Sequence, residues 1–433
     1  MRASRRMDAE DSDMTKNTWS RREFLVGATA AATAVWLSAD ELAAEATAVA
    51  SPAGPPVGCG VIGLGVRGKE ILASLSRLPL ASTAAICDTY EPFLTRAKEI
   101  APNAAAFADY KQLLEKKEIE AVFVATPTHL HKEIVLAALQ AGKHVYCEAP
   151  MTATVEDAKE IAKAPVTEKQ ILQIGQQLRS NPLRKHVNTF VKTGALGDFV
   201  QAKAQWHKRE SWKRAAPTPE REAELNWRLS SKTSTGLIGE VGIHQADLMN
   251  WYMGAAPVSV TGFGGILAWK DGRDVCDTVQ CVFEYPNGAR LVYDATVGNS
   301  FDGAYELLQG CDSAILMRGP HAWMIREADS TMLGWEVYAR KEKIGDESGI
   351  VLLADSTKLL QEGKEPGKEG VVDTGKDELY YAVEDFVMKA RAGGKPSCTA
   401  LDGYRAVVTA IKANEAVVSG ARVAYQKEWF DLT

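Results

Sequence analysis

Two hydrophobic periods divide this chain. Val57–Ile62 is an unbroken apolar run, as a strand buried on both faces requires. Residues 69–78 then carry apolar positions at helical spacing, and a second apolar run, Ala84–Cys87, ends in Asp88. The alternation continues with helices predicted over 92–100 and 110–117 and a strand over 121–125. A helix over 128–141 follows, capped by Gly142, and then a strand over 144–147. Thr154 and Asp157 have capping-box spacing for a helix through Lys163, and a strand over 171–175 closes the series. Strands alternating with helices predict a parallel, doubly wound sheet.

After a helix over 181–192 the period becomes two. Strands are predicted over 199–207, 258–263, 277–285, 289–296 and 304–308, with one long helix at 243–253. That is the pattern of a largely antiparallel sheet with helices on one face. Residues 363–375, rich in Lys, Glu and Gly, read as a surface excursion, and helices are expected at 378–392 and 403–419. The fold class is therefore α/β. A nucleotide-type domain spans 57–180. A second, α+β domain with a large, mostly antiparallel sheet spans 181–433 and includes the terminal helices.

The stretch before residue 57 has a different character. Ser20–Val26 reads S-R-R-E-F-L-V, a small-residue apolar run follows to Ala39, and Ala48-Val49-Ala50 offers a small-x-small cleavage site. Residues 1–50 thus read as a twin-arginine signal peptide, with 51–56 as a linker and Met14 as a possible start. The signal implies the twin-arginine export machinery as a partner, periplasmic location, and export of an already folded protein. The apolar run is short for a membrane span, so no stable span is expected after cleavage.

Composition narrows the chemistry. The 433 residues are 46% hydrophobic and 24% charged with a net charge of -6, and no long basic block invites nucleic acid. Seven Cys lack any C-x-x-C pair, so neither a zinc site nor a disulfide framework is expected, and no metal. Ten Trp are available for core, interface or a sugar face.

Gly63, Gly65 and Gly68 stand at G-x-G-x-x-G spacing between the first strand and helix, and Asp88 ends the next strand. This is the Rossmann dinucleotide arrangement. Gly63 permits the tight turn, Gly65 leaves room for a pyrophosphate, and Gly68 allows close helix–strand packing. Leu64, Val66 and Arg67 complete the loop. The helix N-terminus offers amide groups to phosphate. Asp88 is placed to accept hydrogen bonds from an adenosine ribose. It would repel a 2′-phosphate, and no Arg follows it directly, so the cofactor expected is NAD rather than NADP. Ligands of such sheets lie at the carboxyl ends of the strands, which adds Thr126, Pro127, His131 and Glu148 to the cofactor-binding candidates.

A second cluster is Gly239-Glu240-Val241-Gly242-Ile243-His244-Gln245-Ala246-Asp247. On a continuous helix Glu240, His244 and Asp247 share one face, an acid, an imidazole and an orienting carboxylate. Oxidising an alcohol needs a base within hydrogen-bond reach, and His244 is the leading candidate for base and substrate contact. A helix-bracing role for Asp247 and an interface role for His244 are the alternatives. Arg179, His207, Arg209 and Trp227 are substrate-binding candidates, with Trp206, Trp212, Asn226 and Arg228 as further pocket residues; an interdomain salt-bridge surface is the alternative for each.

These segments resemble the glucose–fructose oxidoreductase / inositol dehydrogenase / rhizopine catabolism family. The resemblance rests on G-V-I-G-L-G-V-R-G at 60–68, A-V-F-V-A-T-P-T-H-L-H at 121–131, A-G-K-H-V-Y-C-E-A-P at 141–150, and the 239–247 cluster. It implies an NAD(P)-dependent oxidoreductase of sugars or polyols that forms dimers or tetramers through its second domain. The resemblance also assigns the family's catalytic His to His244 and the later Asp to Asp247. Two departures stand out. Ala149 occupies the place of a family Lys that assists proton removal, and Glu240 replaces an Asp. Lys203, His207 or Lys208 would then have to supply the missing positive charge. Two alternatives follow. One is a redox-neutral cycle that oxidises a glycoside, eliminates, adds water and returns the hydride, with a Tyr such as Tyr293 or Tyr305 available to it. The other is a non-catalytic sugar-binding protein.

Replacing Asp88 with Ala is expected to weaken NAD binding, read by titrating NADH fluorescence; an unchanged affinity removes the ribose assignment.

Overall fold

In the computed structural model, residues 54–332, 336, 339–352 and 376–432 are described. The signal-peptide stretch and the excursion at 363–375 lie outside the described residues. The first domain runs β1 (Val57–Ile62), α1 (Val66–Ser76), β2 (Ala81–Cys87), α2 (Glu91–Ile100), β3 (Ala105–Phe107), α3 (Tyr110–Leu114), β4 (Ala121–Val124), α4 (His131–Gln140), β5 (His144–Glu148), α5 (Val155–Lys163) and β6 (Leu172–Gly175). All strand pairs are parallel, in the order β3-β2-β1-β4-β5-β6. The order reverses between β1 and β4, which opens a crevice at their carboxyl ends.

The second domain contains α6 (Pro182–Lys192), β7 (Phe199–His207), α7 (Pro219–Leu225), α8 (Ile243–Met253), β8 (Ser259–Gly265), β9 (Thr278–Glu284), β10 (Arg290–Thr296), β11 (Ala304–Gly310), β12 (Ser313–Arg318), β13 (His321–Arg326), β14 (Lys341–Ile344) and β15 (Glu347–Val351). After it come α9 (Glu378–Ala392), α10 (Ala400–Ser419) and β16 (Val423–Ala424). Ten strands form one sheet, β14-β15-β13-β12-β11-β7-β10-β9-β8-β16. It is antiparallel except where β7 and β10 run parallel. Both sheets agree with the predicted architecture. The additional strands β12–β15 were not expected. β12 and β13 carry the two-residue alternation, buried at Ile315, Met317, Ala322 and Met324, whereas β14 is an edge strand of mixed charge with no apolar period.

The two terminal helices divide between the layers. One face of the parallel sheet buries Val57, Cys59 and Val61 against Ile71 and Leu75 of α1 and Leu379, Val383 and Phe386 of α9. The opposite face packs Ile62, Val122 and Val124 against α4, α5 and Tyr404, Val407 and Val408 of α10. Farther along α10, Ala413, Ala416 and Val417 enter the core beneath the ten-stranded sheet. α10 starts three residues before the predicted point, because Thr399 and Asp402 close a capping box: the Thr399 hydroxyl accepts from the Asp402 amide (3.2 Å) and the Asp402 carboxylate from the Thr399 amide (3.0 Å).

The inner face of the large sheet carries one buried ion pair. Nη2 of Arg184 in α6 lies 2.8 Å from one oxygen of Glu306 in β11, and Gln245 of α8 donates to the other Glu306 oxygen at 2.9 Å. Glu306 therefore ties α8, which carries His244, to the sheet. Glu306→Ala leaves the Arg184 charge uncompensated and is expected to cost about 3–5 kcal/mol of stability; chemical denaturation that shows less than 1 kcal/mol would contradict this role.

Candidate active site

The turn after β1 has the dimensions of a phosphate cradle. Gly63 has φ +91°, and a Cβ there would lie 2.7 Å from the Ala125–Thr126 backbone. A Cβ on Gly68 would come within 1.9 Å of the Gly63 carbonyl oxygen, so helix and strand touch there. A Cβ on Gly65 would meet nothing within 4 Å, which leaves open space beside the backbone. α1 has no side-chain cap and no acid in its first turn, so its first amide groups are left for an anionic partner. Asp88 spans the adjacent strand end. Its Oδ2 accepts from the Leu64 amide at 2.7 Å and its Oδ1 from the Tyr90 amide at 2.8 Å. Burial raises its pKa, against the effect of those two donors. Each oxygen keeps a lone pair, which suits ribose hydroxyls.

The carboxyl ends of β4 and β5 supply the other end of the groove. Glu148 is buried at the end of β5, 3.4 Å from Nε of Arg67, whose Nη2 also donates to Gln177 at 3.1 Å. Burial raises the Glu148 pKa and Arg67 opposes the shift. Thr126 Oγ1, Glu148 Oε1 and His244 Nδ1 are enclosed and lack hydrogen-bond partners. Buried polar groups are normally satisfied, so three such atoms beside an open cradle fit a polar ligand that supplies the missing bonds. These residues thus fit a dinucleotide held between Asp88 and His244.

His244 begins α8 and is neutral at physiological pH. Burial, and then the Arg67 guanidinium, push its pKa down to about 3. The expectation that Glu240, His244 and Asp247 share one α-helical face needs correction. Residues Ile238–Gly242 form a π turn, whose wider hydrogen-bonded loop breaks the i, i+4 phase at Glu240. Glu240 is also occupied. One oxygen accepts from the Thr235 amide (3.1 Å) and hydroxyl (2.9 Å), and the other lies 3.5 Å from Thr128 Oγ1 and 3.6 Å from Arg228 Nε. Glu240 holds the π turn to the end of β4.

Asp247 and Arg179, predicted as catalytic and substrate-binding residues, are bonded to each other. Arg179 donates at 2.7 and 2.9 Å in a two-pronged pair, with Asp402 of α10 at 3.3 Å. Both are largely enclosed, so they brace α8 against α10. His131, predicted to bind cofactor, is buried with Nε2 2.9 Å from the Thr126 carbonyl and Nδ1 3.0 Å from that of Pro150. It joins the β4 and β5 loops instead of facing the groove. Thr126 and Pro127 lie in the loop at the end of β4, where the sequence placed them.

His207 is displaced by strand alternation. Ala202, Ala204 and Tyr293 point inward to the helices, so His207, Lys203 and the paired Asp294 point to the outer face. There His207 Nε2 lies 3.0 Å from Asp294. Tyr305, opposite Gln205, also points outward, whereas Tyr293 lies buried beneath Gly242. Arg209 is exposed over the Trp269 ring, and Lys208 pairs with Glu210 at 2.8 Å. None of these outward or exposed side chains supplies charge to the groove. Trp227 does reach it, 6.2 Å from His129, with Arg228 over its ring at 5.0 Å. Arg228 is the cation beside Glu240, and its Nε lacks a hydrogen bond. Arg228 is among the further pocket residues named from the sequence.

The three glycine geometries separate binding from stability. Gly65→Ala is expected to leave the melting temperature unchanged and abolish dinucleotide binding, because its Cβ enters only the cradle. Gly68→Ala is expected to cost about 1–3 kcal/mol of stability through overpacking. Calorimetry with and without NADH checks both; equal effects of the two substitutions would contradict the cradle.

Residues 57–176 match the model described as "Oxidoreductase family, NAD-binding Rossmann fold", and residues 185–308 match "GFO/IDH/MocA C-terminal domain". Levoglucosan dehydrogenase of Pseudarthrobacter phenanthrenivorans is 26% identical over 55% of this chain and 66% of its own length, so the match spans just under two thirds of that relative. The 2,7-anhydro-N-acetylneuraminate hydratase of Mediterraneibacter gnavus is 24% identical over 72% of this chain and 80% of its own. A solved levoglucosan dehydrogenase in complex with NADH shares the fold, with a TM-score of 0.69 and 20% identity over 85% of this chain and 99% of that one. The two matched regions together cover more than half of the sequence, the first over the parallel domain and the second over the antiparallel domain as far as β11; the chain belongs to the Gfo/Idh/MocA oxidoreductase family.

Proposed function

We propose that the protein oxidises or reduces a sugar or polyol hydroxyl with NAD, and that His244 exchanges the hydroxyl proton. The observation that carries this reading is the enclosed Nδ1 of His244, which lacks a hydrogen bond as do the Thr126 hydroxyl and a Glu148 oxygen, next to an open phosphate cradle. When bound, the nicotinamide supplies the acceptor or donor of hydride. The protein holds the substrate hydroxyl against a neutral imidazole, which has a free lone pair for its proton. Arg67 disfavours the protonated imidazole, and Glu148, 3.4 Å from Arg67, offsets that charge. Arg228, between Trp227 and Trp212 and beside Glu240, takes the electrostatic role that Ala149 cannot. NAD is favoured over NADP because Asp88 and Glu224 outnumber Arg221 at the adenosine end, leaving that region net negative.

Two further readings complete the proposal. The outer face of the large sheet exposes Phe263, Val282 and Val292, a surface suited to a second copy of the chain. The S-R-R-E-F-L-V stretch supports export by the twin-arginine route with NAD already loaded. A redox-neutral cycle is the second reading of the chemistry, favoured by the similarity to a hydratase over 72% of this chain. NADH absorbance that rises with substrate supports net oxidation, whereas product formation without NADH accumulation supports the neutral cycle.

His244→Ala is expected to lower kcat by about 10²–10⁴-fold while NADH affinity stays within a few-fold. The depressed His244 pKa also sets a pH expectation. The imidazole stays neutral as pH falls below 6.5, so kcat/KM should show no acid limb near 6.5. The stability that this neutral residue contributes is present above pH 6.5 and is lost as pH falls through about 3. Wild-type turnover in the variant would sink the assignment; an acid limb near pH 6.5 that the variant abolishes would keep His244 as the base and overturn the depressed pKa.

A further inference from the structure

Residues 208–226 leave β7 of the large sheet and return to the π turn, and they touch the groove at both ends. Their base is fixed to the second domain. Asn226 Oδ1 accepts from the Arg214 amide at 2.6 Å, and its Nδ2 donates to the Arg214 and Glu222 carbonyls, each at 3.0 Å. Arg273 donates to the Ser211 carbonyl, and Lys213 Nζ to that of Asp271 at 3.0 Å. Near the π turn, Trp212 is held at φ +65°, a left-handed conformation that bulky residues rarely adopt, with its ring 5.7 Å from the guanidinium of Arg228, which lies beside Glu240. Such strain persists only where surrounding contacts impose it. At the adenosine end, Arg221 of α7 crosses to the nucleotide domain. Its Nη2 donates to the Thr89 carbonyl at 3.0 Å, its guanidinium lies 5.2 Å from the Tyr90 ring centroid, and its Nη1 pairs with Glu224. Thr89 and Tyr90 directly follow Asp88, and Arg221 is close enough to lower that residue's pKa.

We infer that Arg221 is a cofactor-retaining residue. It latches the 208–226 segment across the adenosine end of the groove, so that dinucleotide leaves only when the Thr89 and Tyr90 contacts break. The inference rests on the dinucleotide-binding reading above. It assigns a cofactor role to a residue from the second domain, 132 positions from the backbone carbonyl it holds. The guanidinium suits this task because one planar group can bond a carbonyl, pair with an acid and lie over a ring at once. A retained cofactor also suits a protein proposed to leave the cytoplasm already loaded.

The test measures release instead of turnover. The full chain is loaded with NADH and mixed with excess NAD, and the decay of bound-NADH fluorescence gives the dissociation rate. Arg221→Ala is expected to speed release by about tenfold or more, with Arg221→Lys, which keeps the charge but loses the fork, in between. An Arg221→Ala rate equal to wild type overturns the latch while leaving dinucleotide binding intact. Absence of any NADH signal in the wild type overturns the dinucleotide reading itself, and the latch with it. A second measurement needs no variant. Tryptic cleavage after Arg214 and Arg221 in the wild-type chain should slow when NADH is added, and an unchanged cleavage rate counts against the latch.

Discussion

Burial of α10 on both sides is the constraint on which the two-domain arrangement depends. Its N-terminal half lies against the parallel sheet through Tyr404, Val407 and Val408, and its C-terminal half lies under the large sheet through Ala413, Ala416 and Val417. Small residues make this close approach possible. A Cβ on Gly403 would come within 2.6 Å of the Ile174 side chain in β6. One rigid helix therefore belongs to two cores, and the crevice between β1 and β4 keeps a defined position relative to α8. Hydrophobic burial supplies this coupling, because it is non-directional and grows with the apolar area each sheet covers.

The polar residues around the groove divide by whether their bonds are complete. His131, Arg179 and Asp247 have found hydrogen-bond partners, and they, with Glu306, join the elements that carry the groove. His131 joins the loops after β4 and β5; Arg179 and Asp247 join α8 to α10; Glu306 joins α8 to β11. Thr126, Glu148 and His244 each retain an enclosed atom without a hydrogen bond. In a low-dielectric interior, satisfied networks rigidify their surroundings, and incomplete ones are costly unless something else completes them. The first group holds the site, and the open atoms of the second are available to a ligand in the groove. The division also explains why α8 can present a neutral imidazole at a fixed place: the charges beneath it are paired.

Much of this was legible in the sequence. Period-two and period-3.6 patterns located the elements that build both sheets, and the limits of β1, β7, α8 and α9 agree with the apolar periods at 57–62, 199–207, 243–253 and 378–392. Gly63, Gly65, Gly68 and Asp88 could be given distinct tasks because backbone freedom, close approach and strand-end position are local properties. The family resemblance marked Ala149 as the place of an absent Lys. The Thr399–Asp402 capping box was equally local, although the apolar period alone set the start of α10 too late.

Other assignments required side-chain directions and partners that sequence spacing does not contain. His207 looked available for substrate until strand alternation placed it on the outer face. Glu240 and His244 looked co-facial until a π turn changed the phase between them. Arg179 and Asp247, 68 positions apart, proved to be each other's partners. Arg221 meets Thr89 only because a segment of the second domain folds back over the first. The sequence by itself determined the two layers, the phosphate turn and the residue types available for chemistry, because those follow from backbone geometry and short-range hydrophobic periodicity. Only the tertiary structure decided which charges pair and which polar atoms stay open, because electrostatic and hydrogen-bond contacts depend on distances of a few ångströms between segments far apart in the chain.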